Sequence, residues 1–436
     1  MQDHDQPRRA GAAGRIHYGI IILGLVILVV FSALGLARFG YTSILPAMQE
    51  ALKLSNTQTG VLQSWNLVGY LVTVVFAGLL ASRFGPRVVI ATGLLVVAAG
   101  MGLTGLIPTF GAACAGRFLA GVGGASSNMP AMAMLSAWFG ARRRGLAAGA
   151  GAAGSSVGLI VTGPLIPAIL RRNGEDGWRA CWYALAALTL VVFIAAALFL
   201  RNRPAEKGLR AIGESEAEPN SPPAAAAASS LDWGSVYRSR LLWKLAGIYF
   251  GFGFSYIIYS TFFVRYLTGE AGFSRGGAGT LWLQVGVVSI VGGFLWGSVS
   301  DRWGRRVALL WVFGLQGAAF LLFGLSREGW SVYLSAVLFA ITAWSVPALM
   351  AALCGDLFGA RLAPAALGLI TLVFGLGQAL GPYLAGAIAD ATRSFAPAFL
   401  LAGAAALAVG GGGSLTLRRG LGRAPHPAVV PGEDNR

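Results

Sequence analysis

Twelve apolar runs divide this chain, and most are long enough to cross a bilayer as a single helix. They lie at 16–46, 57–81, 88–108, 111–138, 145–170, 179–200, 242–268, 276–300, 307–325, 329–352, 362–389 and 394–416. A helix rises 1.5 Å per residue, so about 20 apolar residues span the ~30 Å hydrocarbon core. In lipid every backbone N–H and C=O needs a partner inside the protein, and a helix supplies all of them within the segment. Only 11% of the 436 residues are charged. A soluble chain carries about 25%, so most of this surface cannot face water. The expected fold class is an all-α membrane protein with twelve transmembrane helices.

The formal net charge of +16 would suggest nucleic acid in a soluble chain. Here the bases flank apolar spans, so they report topology, and no nucleic-acid partner is expected. An even number of spans puts both ends and the central linker on one side. Of the 33 Lys and Arg, 23 fall on that side. Seven (Lys53, Arg171, Arg172, Arg179, Arg275, Arg327 and Arg393) fall on the other, and Arg38, Arg117 and Arg265 lie at membrane depth. The bias places both termini in the cytoplasm. The expected layout is a cytoplasmic tail (1–15), a six-helix bundle (16–200), a flexible Pro/Ala/Ser/Glu-rich cytoplasmic linker (201–240), a second six-helix bundle (241–416) and a cytoplasmic tail (417–436). The first apolar run is too long for a signal-peptide core and is read as a retained span.

The two bundles repeat each other. Gly78, Arg83, Gly85 and Arg87 recur 219 residues later as Gly297, Arg302, Gly304 and Arg306. The second copy adds Asp301 and Arg305, where the first has Ser82 and Pro86. Duplicated helix bundles are the architecture of secondary carriers, whose site lies between the halves.

These loops resemble the signature of the major facilitator superfamily, approximately G-x-x-x-D-R-x-G-R-R/K, and the second copy is the fuller match. GRFLAGVGG (116–124) resembles the Arg-containing fourth-helix motif of that family, and GQALGPYLAG (377–386) resembles its G-x-x-x-G-P pattern. WFGARRRGLAAGAGAAGSSVG (138–158) looks like bacterial relatives of monocarboxylate and oxalate/formate carriers, and ARFGYTSILPAM (37–48) is similar to YbfB-like permeases. The first-helix signature of true monocarboxylate carriers is absent. The resemblance implies a multi-pass protein of the bacterial inner membrane, acting as a monomer, with helices one, four, seven and ten lining a central cavity. It also implies that Asp301 helps lock the halves on the cytoplasmic side. The Gly163-Pro164 and Gly381-Pro382 pairs permit bends in helices five and eleven, at equivalent places in the two halves. They suit a rocking motion or static close packing equally.

Charges inside a bilayer are costly and mark function by default. Arg38, Arg117 and Arg265 sit on three of the four helices that the resemblance assigns to the cavity, and a guanidinium grips a carboxylate bidentately. Asn128, Tyr249, Tyr256, Tyr259 and Trp344 complete the candidate substrate site. Each has a plainer alternative: Arg265 can snorkel, Arg117 can brace the fold, and span aromatics commonly pack or anchor. Asn66 reads as an interhelical partner, and His17 as an interfacial residue. No Asp or Glu occupies the middle of a span, which disfavours proton-driven export of cations. No metal spacing, nucleophile elbow or phosphate loop appears, so neither an enzyme nor a cofactor is expected. The expected function is alternating-access transport of a small organic anion, a monocarboxylate or related acid, by proton symport or anion exchange. Efflux of hydrophobic or drug-like compounds is the alternative.

Overall fold

The computed structural model describes residues 17–106, 109–213, 237–325 and 329–417. The expected N-terminal tail, linker residues 214–236 and nearly all of the C-terminal tail lie outside them. Twelve helices fill the rest: α1 (Tyr18–Leu52), α2 (Asn56–Phe84), α3 (Pro86–Leu106), α4 (Phe110–Trp138), α5 (Ala141–Ala152 continuing as Gly154–Asn173) and α6 (Gly177–Phe199). The second half comprises α7 (Arg240–Gly269), α8 (Arg275–Trp303), α9 (Arg305–Leu325), α10 (Gly329–Gly359), α11 (Leu362–Thr392) and α12 (Ala396–Leu415). Gly359, at φ 69°, breaks α10 from α11.

The repeat is reproduced residue for residue where the signature lies. Ser55 caps α2 by accepting from Gln58 N–H, and its equivalent Ser274 caps α8 by accepting from Gly277 N–H. Both helices then end on an equivalent glycine, Gly85 at φ 84° and Gly304 at φ 95°. Those dihedrals exclude most L side chains, so the signature glycines make the sharp turns into α3 and α9. His17 caps α1, its Nδ1 accepting from Gly19 N–H at 3.1 Å.

Within each bundle, small residues let backbones approach. Gly35 of α1 lies against Gly158 of α5, where any Cβ would collide with backbone. Around this contact α1 changes to a π-helix over Phe31–Phe39, a wider turn that often marks functional positions. The second bundle is packed with rings. Tyr259 stands among Phe320, Phe323, Phe339 and Phe399, with centroids 4.6–5.9 Å away.

Residues 201–213, the start of the segment read as a flexible linker, dock beneath the first bundle. Ile212 N–H donates to Trp138 O at 2.9 Å, and Gly140 N–H donates to Ile212 O at 3.0 Å. Trp138 Nε1 donates to Arg201 O. The linker composition hid this, because a few backbone bonds and one half-buried isoleucine suffice to fix a short stretch.

The two halves meet along α2–α11 and α5–α8. Gly60 of α2 faces the Pro382 carbonyl of α11, and Gly163 of α5 faces the Gly279 carbonyl of α8. The 219-residue offset carries Gly60 to Gly279 and Gly163 to Pro382, so these contacts are pseudo-symmetric images of one another. Both Gly-Pro pairs thus lie on the surface where one half meets the other.

Candidate transport site

The site is built where α1, α2 and α4 of the first half face α7, α10 and α11 of the second. Arg38 lies about 30 Å along α1 from Tyr18 and about 21 Å from Leu52, deep within the bundle. The guanidinium lies over the ring of Tyr70 at 4.5 Å, a cation–π contact. Arg38 is 6% exposed, and its Nε has no hydrogen-bond partner among the described residues. Across the divide, the Tyr256 hydroxyl accepts from Gln378 Nε2 and stands close enough to Arg38 to feel its charge. On the near side, Asn128 Nδ2 donates to the Tyr70 hydroxyl at 2.8 Å.

Behind Tyr256 stands a stack of rings. Tyr256 lies on Phe252 (4.7 Å, 12°), and Tyr249 lies on Phe374 (4.3 Å, 13°). Trp344 meets Tyr256 edge-on at 6.5 Å, contacts Phe39 of the first half at 5.1 Å, and donates Nε1–H to Ser156 Oγ at 3.0 Å.

Of the expected site residues, the structure therefore brings together Arg38, Asn128, Tyr249, Tyr256 and Trp344. The other three go elsewhere. Arg117 is 0% exposed. It donates to Ala37 O at 2.5 Å and Gln63 Oε1 at 2.6 Å, and sits between the rings of Tyr41 (4.6 Å) and Trp182 (5.4 Å). Its helix is tied further by Asn66, which donates to the Arg117 carbonyl. Tyr259 belongs to the interior of the second bundle, bonded to Ser335. Arg265 lies at the far end, donating to Gln49 Oε1 at 2.6 Å.

Tyr70, Gln378, Phe252 and Phe374 were not singled out from sequence. Tyr70 is on α2, a helix not assigned to the cavity. Gln378 sits inside the quoted GQALGPYLAG stretch, whose glycines and proline drew the attention. A polar residue beside a Gly-Pro bend was the available signal.

The bonds that join the halves lie from mid-bundle outward to the end carrying Lys53 and Asp390. Thr42 donates to Ser260 O, Ser156 pairs with Ser289, and Arg275 pairs with Glu50 at 2.9 Å. The Asp390 carboxylate accepts from Asn56 N–H (2.9 Å), Thr57 N–H (2.8 Å) and the Thr57 hydroxyl (2.6 Å). It thereby caps the start of α2 from the opposite half, where the helix dipole favours a negative charge. Toward the end carrying the termini, the signature loops bond within their own halves. Asp301 pairs with Arg305 at 2.6 Å, and Arg305 also reaches Asp356 of α10 at 3.0 Å. Arg87 donates to Ala197 O of α6, and Arg83 lies over the adjacent Phe84 ring. Gly78 and Gly297 have no neighbour within 4 Å of where a Cβ would stand. Among the described residues, the expected Asp301 bridge between halves is not made in this arrangement.

Asp390→Asn is expected to lose the charge-assisted cap and to shift the balance toward opening of this end roughly 5- to 10-fold, a discounted figure because the carboxylate is exposed. Spin-label distances between the Asp390 ends of α2 and α11 in lipid nanodiscs would report it. An unchanged distance distribution would show that the cap does not hold the halves.

A family model described as Major Facilitator Superfamily matches residues 26–326 and 285–432. The chain belongs to this superfamily. It is therefore a multi-pass membrane transporter, not an enzyme, and its twelve helices are the superfamily's two-bundle fold. Among relatives, it is 25% identical to the probable sulfoacetate transporter SauU of Cupriavidus necator, over 89% of this chain and 92% of that one. It is 28% identical to the oxalate:formate antiporter of Oxalobacter formigenes, over 72% and 69%. It is 26% identical to a putative tartrate transporter of Agrobacterium vitis, over 86% and 88%. Among solved structures, a bacterial homolog of the human lysosomal transporter Spinster, inward-facing and unoccupied, superposes with a TM-score of 0.70 at 16% identity, covering 92% of this chain and 96% of that one. This facilitator thus shares its fold with that structure, while its relatives in sequence are named for small organic anions.

Proposed function

We propose that this chain is a secondary carrier of small organic anions and that Arg38 is the residue that grips the anion. The observation that carries the reading is the Arg38 guanidinium, buried over the Tyr70 ring with an unpartnered Nε; the Arg117 Nε is unpartnered too, but that guanidinium is held by Ala37 O and Gln63 Oε1. A buried cation with spare donors is costly unless an anion completes it. Asn128, Tyr70 and Tyr256 would hold it in place, and Arg117 would brace the α1 backbone at Ala37 rather than touch cargo. The relatives named for sulfoacetate, oxalate and formate, and tartrate support an anionic cargo.

Transport would proceed by alternating access, the halves rocking along the paired Gly60–Pro382 and Gly163–Gly279 surfaces. With the positive-inside bias placing the termini in the cytoplasm of a bacterial inner membrane, the arrangement seen here would face inward: bonded at the outer end, parted at the inner. A single copy holds every residue of this site, so a monomer would suffice. Proton symport and anion exchange are both compatible with the absence of a mid-span carboxylate, because a proton can ride on the cargo's own carboxylate.

The test is uptake of labelled organic acids by proteoliposomes. Uptake accelerated by an acid-outside gradient, or by a second acid trapped inside, is the expected outcome. Extrusion of dyes or drugs with no acid uptake would favour the efflux alternative instead.

A further inference from the structure

We propose that the preferred cargo is a monoanion with a flat apolar body, an arylcarboxylate or similarly planar acid, rather than a dianion or polyhydroxy acid. The proposal rests on Arg38 as the anion ligand and specifies what lies beside it.

Charge comes first. Among the described residues, Arg38 is the cation facing this space. Arg117, although its Nε is also unpartnered, is 0% exposed and held by Ala37 O and Gln63 Oε1 between the rings of Tyr41 and Trp182. Arg265 is engaged by Gln49 at the far end. One carboxylate can therefore be neutralised. The second carboxylate of a small diacid would be held against rings with no counter-charge, which is strongly unfavourable.

The shape of the wall is the second argument. Tyr249, Phe252, Tyr256 and Phe374 lie nearly parallel, with interplanar angles of 5–13° and centroids 4.3–6.2 Å apart. Such a stack offers a flat apolar face that suits offset stacking of another ring. Phe374 is only half-buried, whereas Tyr249 and Phe252, which pack beside it, are buried. Tyr256 stands near Arg38, so a carboxylate on the guanidinium would place its attached ring along the wall.

Polar capacity is the third. The polar groups beside Arg38 each already hold a partner: Asn128 with Tyr70, Gln378 with Tyr256, and Trp344 with Ser156. A sugar acid would lose water from several hydroxyls and recover few bonds here.

The experiment is competition against Arg38-dependent uptake of labelled benzoate in proteoliposomes, using benzoate, phenylacetate, acetate, oxalate and tartrate. The two aryl acids should compete at concentrations about 30-fold lower than acetate, the gain expected for burying one phenyl ring. Phe374→Leu keeps apolar volume but removes the flat face, and should reduce that preference to below about 5-fold. Oxalate, tartrate or acetate competing as well as benzoate, with uptake still lost in Arg38→Gln, would overturn the proposal and leave the anion carrier standing. Absence of Arg38-dependent uptake of any acid would sink both.

Discussion

Arg38→Gln is expected to lower organic-anion uptake at least about 100-fold while the protein still folds and inserts normally. A bidentate, charge-assisted pair in a site shielded from water contributes on the order of 3 kcal/mol, and each 1.4 kcal/mol is tenfold. The fold should tolerate the change. Arg38 contributes one cation–π contact with Tyr70, while its Nε has no partner in the structure. Losing that contact costs ~1 kcal/mol, partly offset by removing a buried charge. Arg38→Lys keeps the charge without the planar fork, so partial recovery is expected, at roughly a tenth of the original rate. Uptake by initial rate, with insertion checked by size-exclusion profile, separates the cases. If Arg38→Gln transports at the original rate, the anion is held elsewhere.

The architecture was legible because it is written in one-dimensional patterns. Span length and the 219-residue offset specify two bundles, and the offset carries even the helix caps, from Ser55 to Ser274. The depth of Arg38 was also legible, and an arginine buried there is a candidate to hold an anion. What the sequence could not say is which arginines find partners inside the protein. Arg117 and Arg38 look alike in a linear reading. Arg117 donates to a carbonyl 80 residues away and an amide 54 residues away, and nothing local announces either. Arg265 shows the same limit, its Gln49 partner lying 216 residues away in the other half. Helical periodicity placed Tyr249 and Tyr256 on one face but gave no reason to separate Tyr259, which turns into the ring cluster of the second bundle. The π-helical stretch over Phe31–Phe39 has no composition signal either. It accompanies the Gly35–Gly158 approach, a tertiary contact.

Arg117→Gln is expected to behave differently from Arg38→Gln, losing stability as well as transport. The glutamine amide is too short and too poor in donors to reach both the Ala37 carbonyl and Gln63, so at least one buried acceptor would be left bare. The cation–π contacts with Tyr41 and Trp182 would go as well. Breaking a buried network of this kind costs about 3–5 kcal/mol. A fall in melting temperature of roughly 5–10 °C in detergent is the corresponding signature. Transport should fall too, because Ala37 adjoins Arg38 on the π-helical turn, and an unbraced backbone would let the guanidinium drift from Tyr70 and Tyr256. Adding benzoate discriminates the roles. Wild-type protein should be stabilised by the ligand, and Arg117→Gln should retain a smaller shift from a lower starting point, since the gripping residue is still present. Arg38→Gln should start near the wild-type melting temperature and show no ligand shift. The reverse pattern, a native-like melting point without ligand response in Arg117→Gln, would make Arg117 the anion ligand and Arg38 the brace.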